Sequence, residues 1–250
     1  MSHRLSLLAA VASLSLLAGC AGTDVNGALG AAGALGKAAT LSDHDVRELS
    51  QQACAESDKK NNIAPAAGQH ARRLAKIMAS VKTTDVQKVD ARVYLKKEVN
   101  AWAMANGCVR VYSGLMDMMN DDELRGVVGH ELGHVALGHT RSRLQVAYSA
   151  MAARGALAAS GNGAVAALSS SQLGDLAENL INAQFSQKQE NAADDYAFDL
   201  LTKNKAPTRG LVTAFEKLAK LDGGKGGMFA SHPGSDERAR RMEARMKQGG

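Results

Sequence analysis

The stretch that decides the fold reads Asn120-Asp121-Asp122-Glu123-Leu124-Arg125-Gly126-Val127-Val128-Gly129-His130-Glu131-Leu132-Gly133-His134. Asn120 can cap a helix and Glu123 stands three residues on, the spacing of a capping box, so a helix begins here. On it His130 and His134 lie four residues apart and project from one face, about one turn from each other. Both imidazoles can reach a single tetrahedral zinc, while Glu131 points from an adjacent angle toward the fourth, water-occupied position. Zinc lowers the pKa of that water to about 7, and Glu131 as general base can take its proton as the oxygen attacks a carbonyl polarised by the metal. Two ligands and a base within one turn are the H-E-x-x-H signature, and the stretch therefore predicts a zinc centre.

The third ligand must come from elsewhere. A metzincin pattern would need Gly at position 137 and His at 140, where the sequence has Leu137 and Thr140, so that class is excluded. His139 lies five residues after His134, about 500° of rotation if the helix continues, and reads as a structural or capping residue off the ligand face. Glu190 and Asp194, within Gln187-Lys188-Gln189-Glu190-Asn191-Ala192-Ala193-Asp194-Asp195-Tyr196, are four apart on a predicted helix and face the same way. One can bind zinc while the other accepts the free ring N–H of a ligand His. A nearby dication would relieve the penalty of two adjacent carboxylates.

Outward from this centre the pattern is α+β and helix-dominated. Ser42 followed by Asp43 and Asp45 opens a capped helix to about Lys59 with Val46, Leu49 and Ala53 on one face. A second follows Pro65, with Ala71, Leu74, Ile77 and Met78 at helical spacing. Alternation then sets in at Val89, Ala91, Val93 and Leu95, at Val99, Ala101 and Ala103, and at Val109 and Val111, with Asn106-Gly107 as a hairpin turn, which predicts a small three-stranded sheet. After it the pattern reads helical, broken at 161–163, at Ala206-Pro207 and at 223–227. The small-residue segment 151–170 reads as a helical hairpin packed on the domain or as a flap, too interrupted to span a bilayer. One domain, 41–250, is expected.

Composition excludes several classes. The 250 residues carry a formal net charge of +5 with 45% hydrophobic and 4% aromatic residues. So mild an excess, without a basic stripe interleaved with aromatics, argues against nucleic acid. Three prolines and three cysteines exclude a proline-rich scaffold and a disulfide-stapled miniprotein. Residues 1–19 have the basic start, short apolar run and small-residue end of a secretory leader. Leu17-Ala18-Gly19-Cys20 resembles the bacterial lipobox, which would leave Cys20 as the acylated first residue. Ala21, rather than Asp, after it favours the outer membrane, facing the periplasm. Residues 20–40 are rich in Gly and Ala and read as a tether with a span of about 25 Å. In an oxidising compartment the two remaining cysteines, Cys54 and Cys108, make one disulfide the simplest pairing.

His130-Glu131-x-x-His134 with Glu190-x-x-x-Asp194 resembles the gluzincin metalloendopeptidases of the HtpX, BepA and Oma type. Asn100-Ala101-Trp102-Ala103, Gly107, Val111-Tyr112-Ser113-Gly114-Leu115-Met116, Ser231-His232-Pro233 and Arg238 add to the likeness, which covers 41–250. With the lipobox and the cysteine positions, it is similar to the outer-membrane lipoprotein proteases of that family. The resemblance implies a zincin-like domain with its sheet beside the active-site helix, one Zn2+ held by His130, His134 and Glu190, Glu131 as base, and Asp194 supporting a ligand. It also implies that His232 and Arg238 reach the site to stabilise the tetrahedral oxyanion. From the residues alone, His232 before Pro233 reads as an exposed loop residue.

An edge strand beside a zinc cleft can bind an extended peptide by strand addition, and 99–104, with Asn100, Ala101, Trp102 and Ala103, is the candidate. The alternative is that this strand is simply core sheet. The expected function is a zinc endopeptidase acting on exported or outer-membrane proteins in envelope quality control. Two others compete: an assembly factor that binds clients at a closed zinc site without turnover, and a zinc hydrolase of cell-wall amides. Glu131 favours the enzyme, since a purely structural site has no need of a base, and the edge strand favours peptide.

Overall fold

Ser42 starts the first helix by a reciprocal pair: its hydroxyl accepts from the Asp45 N–H at 3.2 Å, and Asp45 Oδ2 accepts from the Ser42 N–H at 3.0 Å. The computed structural model describes residues 41–153, 168–221 and 228–248. The leader at 1–19, the tether at 20–40 with Cys20, most of 151–170 and the breaks at 161–163 and 223–227 lie outside the described residues. Helix α1, Asp43–Lys59, buries Val46, Leu49 and Ala53, the face its spacing predicts, and α2, Gln69–Ala79, buries Leu74 and Ile77.

Strands β1 (Asp90–Tyr94), β2 (Ala101–Ala103) and β3 (Cys108–Tyr112) make one sheet in the order β1-β3-β2. Asn106-Gly107 turns the antiparallel β2–β3 hairpin, with Gly107 at φ +83°, where a Cβ would stand 1.9 Å from the Lys88 carbonyl oxygen. β1 pairs parallel to β3, from Asp90 opposite Cys108 to Tyr94 opposite Tyr112. The last strand is thus the central one, and all five of its residues are buried. They include Arg110, whose guanidinium reaches Asp58 at 2.8 Å and Asp90 at 3.0 Å. Burial alone would raise the Asp58 carboxyl, but hydrogen bonds from Arg110 and Tyr94 outweigh it and hold it below the usual range.

The rest is helical: α3 (Ser113–Met118), α4 (Asp121–Ala136), α5 (His139–Ala153), α6 (Ser170–Asn182), α7 (Gln187–Lys203), α8 (Arg209–Lys220), α9 (Met228–Ser231) and α10 (Ser235–Lys247). The α4 capping box forms as its sequence requires, Glu123 N–H to Asn120 Oδ1 at 2.9 Å and Asn120 N–H to Glu123 Oε2 at 2.8 Å. α4 packs against α7, α8 and β2, so the sheet lies beside the zinc-motif helix. Glycines set the closeness of that packing: a Cβ on Gly126 would stand 2.8 Å from Leu211 Cα, and one on Gly133 3.0 Å from the Ala193 carbonyl oxygen. The expected helix-dominated α+β architecture is present. Its continuity is not as the sequence suggests, because Gly138 at φ +72° ends α4 and α5 departs afresh at His139. Among the described residues no helix is long and apolar enough to cross a membrane.

Cys54 of α1 is joined to Cys108 of β3, with Cα atoms 6.6 Å apart and the two positions 54 residues apart in sequence. Closing a loop of this length stabilises a fold by about 4 kcal/mol in the chain-entropy model. Replacing both cysteines by Ala is expected to lower stability by an amount of that order while the remaining folded protein keeps its metal. Urea unfolding measures the loss. Thiol labelling under denaturing, non-reducing conditions should find no free thiol in the exported protein, and two reactive thiols would refute the pairing.

Candidate metal centre

Three stretches, distant in sequence, converge. α4 supplies His130, Glu131 and His134, and the first turn of α7 supplies Glu190 with Asp194 one turn on. The α9–α10 connection supplies His232, and α10 supplies Arg238, after Gly234 at φ +81° turns the backbone back. None of these seven residues is more than 4% exposed. The sequence reading of the α4 and α7 residues as one cluster is therefore met in space. His232 is not the exposed loop residue its local sequence suggests, because the α9 turn carries it into the interior.

His130 Nε2 lies 3.0 Å from His134 Nε2 and 3.5 Å from Glu190 Oε2, and His134 Nε2 lies 3.4 Å from Glu190 Oε1. His232 Nδ1 joins them at 3.0 Å from Glu190 Oε1 and 3.2 Å from His130 Nε2. One donor atom from each of the four residues falls within 4.8 Å of all the others. The outer nitrogens are held as well, His130 Nδ1 by Asp194 Oδ1 at 2.8 Å and His134 Nδ1 by His139 Nδ1 at 3.0 Å. Donation from His130 Nδ1–H to Asp194 leaves the His130 Nε2 lone pair facing the cluster. The break at Gly138 is what puts His139 here, against the ligand face it would miss on a continuous helix.

Arg238 stands behind the carboxylates. Its Nε and Nη2 donate to the two oxygens of Asp194 at 2.9 and 2.6 Å, and its Nη1 is 2.6 Å from Glu190 Oε2. Burial would push Asp194 up, but Arg238 and His130 hold it below the usual carboxylate range. Glu190 is held well below that range too, with His232 and His134 outweighing its burial. His134 is lowered by burial and by the charge of His130, which favours the neutral form a metal requires. Glu131 is raised by burial, with His232 and His130 opposing, and its Oε1 has no hydrogen-bond partner.

These residues fit a zinc ion. Buried imidazole nitrogens that face each other at 3.0 Å, with a carboxylate beside them, are reconciled by a cation lying between them. The nitrogen and oxygen donor set is that of zinc. Phe185, which sequence reasoning missed, stacks on the His134 ring with centroids 3.6 Å apart and planes 13° apart. Arg143 of α5, also missed, places its Cζ 3.2 Å from the Phe185 centroid. Only the position of Phe185 just before the α7 cap Ser186 marked it in the sequence.

β2 is an edge strand. Its register with β3 pairs Ala101 with Val111 and Ala103 with Val109, while Asn100 and Met104 make main-chain hydrogen bonds with β3. The N–H and C=O groups of Ala101 and Ala103 therefore point away from the sheet. Asn100, Ala101 and Trp102 are buried and Ala103 is half-buried.

Residues 66–246 match the model of Peptidase family M48. Over its full length the protein is 49% identical to Metalloprotease YcaL of Escherichia coli, covering 100% of each. It is 50% identical to Metalloprotease LoiP of the same organism, covering 98% of each. A Protease HtpX homolog of Salinibacter ruber is 28% identical over 55% of this sequence and 59% of its own.

Proposed function

The chain belongs to peptidase family M48 and is a metalloprotease, and from that premise we propose that it is a zinc-dependent endopeptidase acting on exported or outer-membrane proteins. The observation that carries the reading is Glu131, buried against the donor cluster with one carboxylate oxygen free of any hydrogen bond. His130, His134 and Glu190 are the ligands in this reading, because catalysis needs one metal position left to water and substrate. When bound, the ion supplies Lewis-acid polarisation of the scissile carbonyl and a lowered water pKa.

The protein's own residues do the rest. Glu131 takes the proton of the attacking water, a task suited to a carboxyl that burial raises above its usual value. His232, with Nε2 3.4 Å from Glu131 Oε1, is the donor to the oxygen on which charge develops. Asp194 fixes the His130 tautomer, and Arg238, with its donors turned to Asp194 and Glu190, holds both carboxylates in place. In this reading it supports the oxyanion only through them. The outward main-chain groups of Ala101 and Ala103, flanked by Asn100 and Trp102, take an extended substrate by strand addition.

The test is zinc content together with hydrolysis of an unstructured protein such as casein, with and without chelator. One zinc per molecule and chelator-sensitive internal cleavage are expected. Bound zinc without hydrolysis would instead make the protein a client-binding factor.

The envelope setting rests on the leader, Cys20 and the tether. If Cys20 is acylated, the protein is expected to fractionate with outer membranes and to be released by detergent but not by high salt. Buried methylenes contribute about 0.8 kcal/mol each, and ions do not screen that contribution. Labelling with a fatty-acid probe checks this. Equal label on wild type and Cys20→Ser would refute the anchor.

A further inference from the structure

A cavity of about 360 Å³ opens beside the metal cluster, with His139, Phe185, Arg143, Gln189, Val146 and Met151 in its wall. Two of these touch a ligand: Phe185 stacks on His134, and His139 meets its outer nitrogen. A substrate residue next to a bond placed at the cluster has this space before it. The lining is largely apolar and, among the described residues, contains no Asp, Glu or Lys. Arg143 is the one permanent charge in the wall.

That charge is incompletely satisfied. Nη1 donates to the Leu180 carbonyl at 2.7 Å and one face lies on Phe185, but Nε and Nη2 are buried with no hydrogen-bond partner. The acidic groups whose charge reaches Arg143 are Glu131 and Glu190, one assigned to the proton and the other to the metal. An unpaired guanidinium against apolar walls attracts an anion strongly and repels a cation.

We propose that this cavity is the subsite for a substrate residue flanking the scissile bond, and that Arg143 makes it select a carboxylate, from an acidic side chain or the free end of a peptide. The proposal rests on the peptidase reading and specifies its substrate. Lys and Arg at that position are excluded by the same charge.

The zinc-loaded full-length protein is given quenched peptides that differ only in the residue on either side of the cut: Glu, Gln, Leu or Lys. A second set ends at the flanking residue, with the terminus free or amidated. Wild type is expected to favour Glu over Lys at one flank, or the free terminus over the amide, by about tenfold in kcat/KM. A preference confined to the free terminus identifies the peptide end as the source. Arg143→Gln brings the ratio toward one and Arg143→Glu inverts it. Ratios taken on one sample do not depend on the fraction folded, so a poorly folding variant cannot mimic the result. A wild-type preference absent at both flanks and at the terminus overturns the proposal, as does one equal in wild type and variants. Failure to cut any peptide, or casein, overturns the peptidase reading instead.

Discussion

Replacing Glu131 by Gln is expected to leave zinc in place and to lower turnover by about 10²–10⁴-fold, the range of a positioned general base. The amide keeps the volume of the carboxyl, so α4 and its contacts with α7 are undisturbed. None of the four donor residues is altered. What is lost is the carboxylate that accepts the proton. Metal analysis beside casein hydrolysis separates the two effects, and unchanged turnover in a zinc-loaded Glu131→Gln protein would end the mechanism.

The second large effect is on stability. Arg238 is buried with Asp194 and Glu190, and removing one partner from a buried ion cluster costs about 3–5 kcal/mol because charge is left uncompensated. Arg238→Met keeps much of the side-chain volume and the contact with Phe215, so the loss reports mainly the missing charge. A bound dication offsets Glu190 directly, and the deficit is therefore expected to be larger in metal-free protein than in zinc-loaded protein. Urea unfolding of both proteins, with zinc and with chelator, measures it. A deficit equal in the two states would mean that Arg238 does not share the metal's compensating task.

The parts of this site that depend on spacing along one helix were legible in the sequence. Asn120 and Glu123 announce the start of α4 through side chains that reach their own turn, and His130, Glu131 and His134 share a face because helical geometry is local. Glu190 and Asp194 follow by the same rule. The partners of those residues were not legible from spacing, and only the family resemblance pointed to His232 and Arg238. His232 meets His130 across 102 residues and Arg238 meets Asp194 across 44, distances over which periodicity carries no information. The alternation around Val109 and Val111 gave the sheet but passed over Arg110, whose burial depends on Asp58 arriving from another element. Spacing sets His139 off the ligand face on the condition that the helix continues, and the backbone angle of Gly138 reveals the break that turns His139 toward the cluster.

The centre needs both an early and a late part of the polypeptide: the zinc motif lies on α4, but Arg238 lies on α10, the last helix described. Arg241 and Arg245 of α10 also pair with Asp195 of α7, so the helix that carries the carboxylates is gripped along its length. A polypeptide still emerging from the ribosome carries the signature residues but lacks the clamp that aligns Glu190 and Asp194. Cutting power then arrives only when the final helix docks.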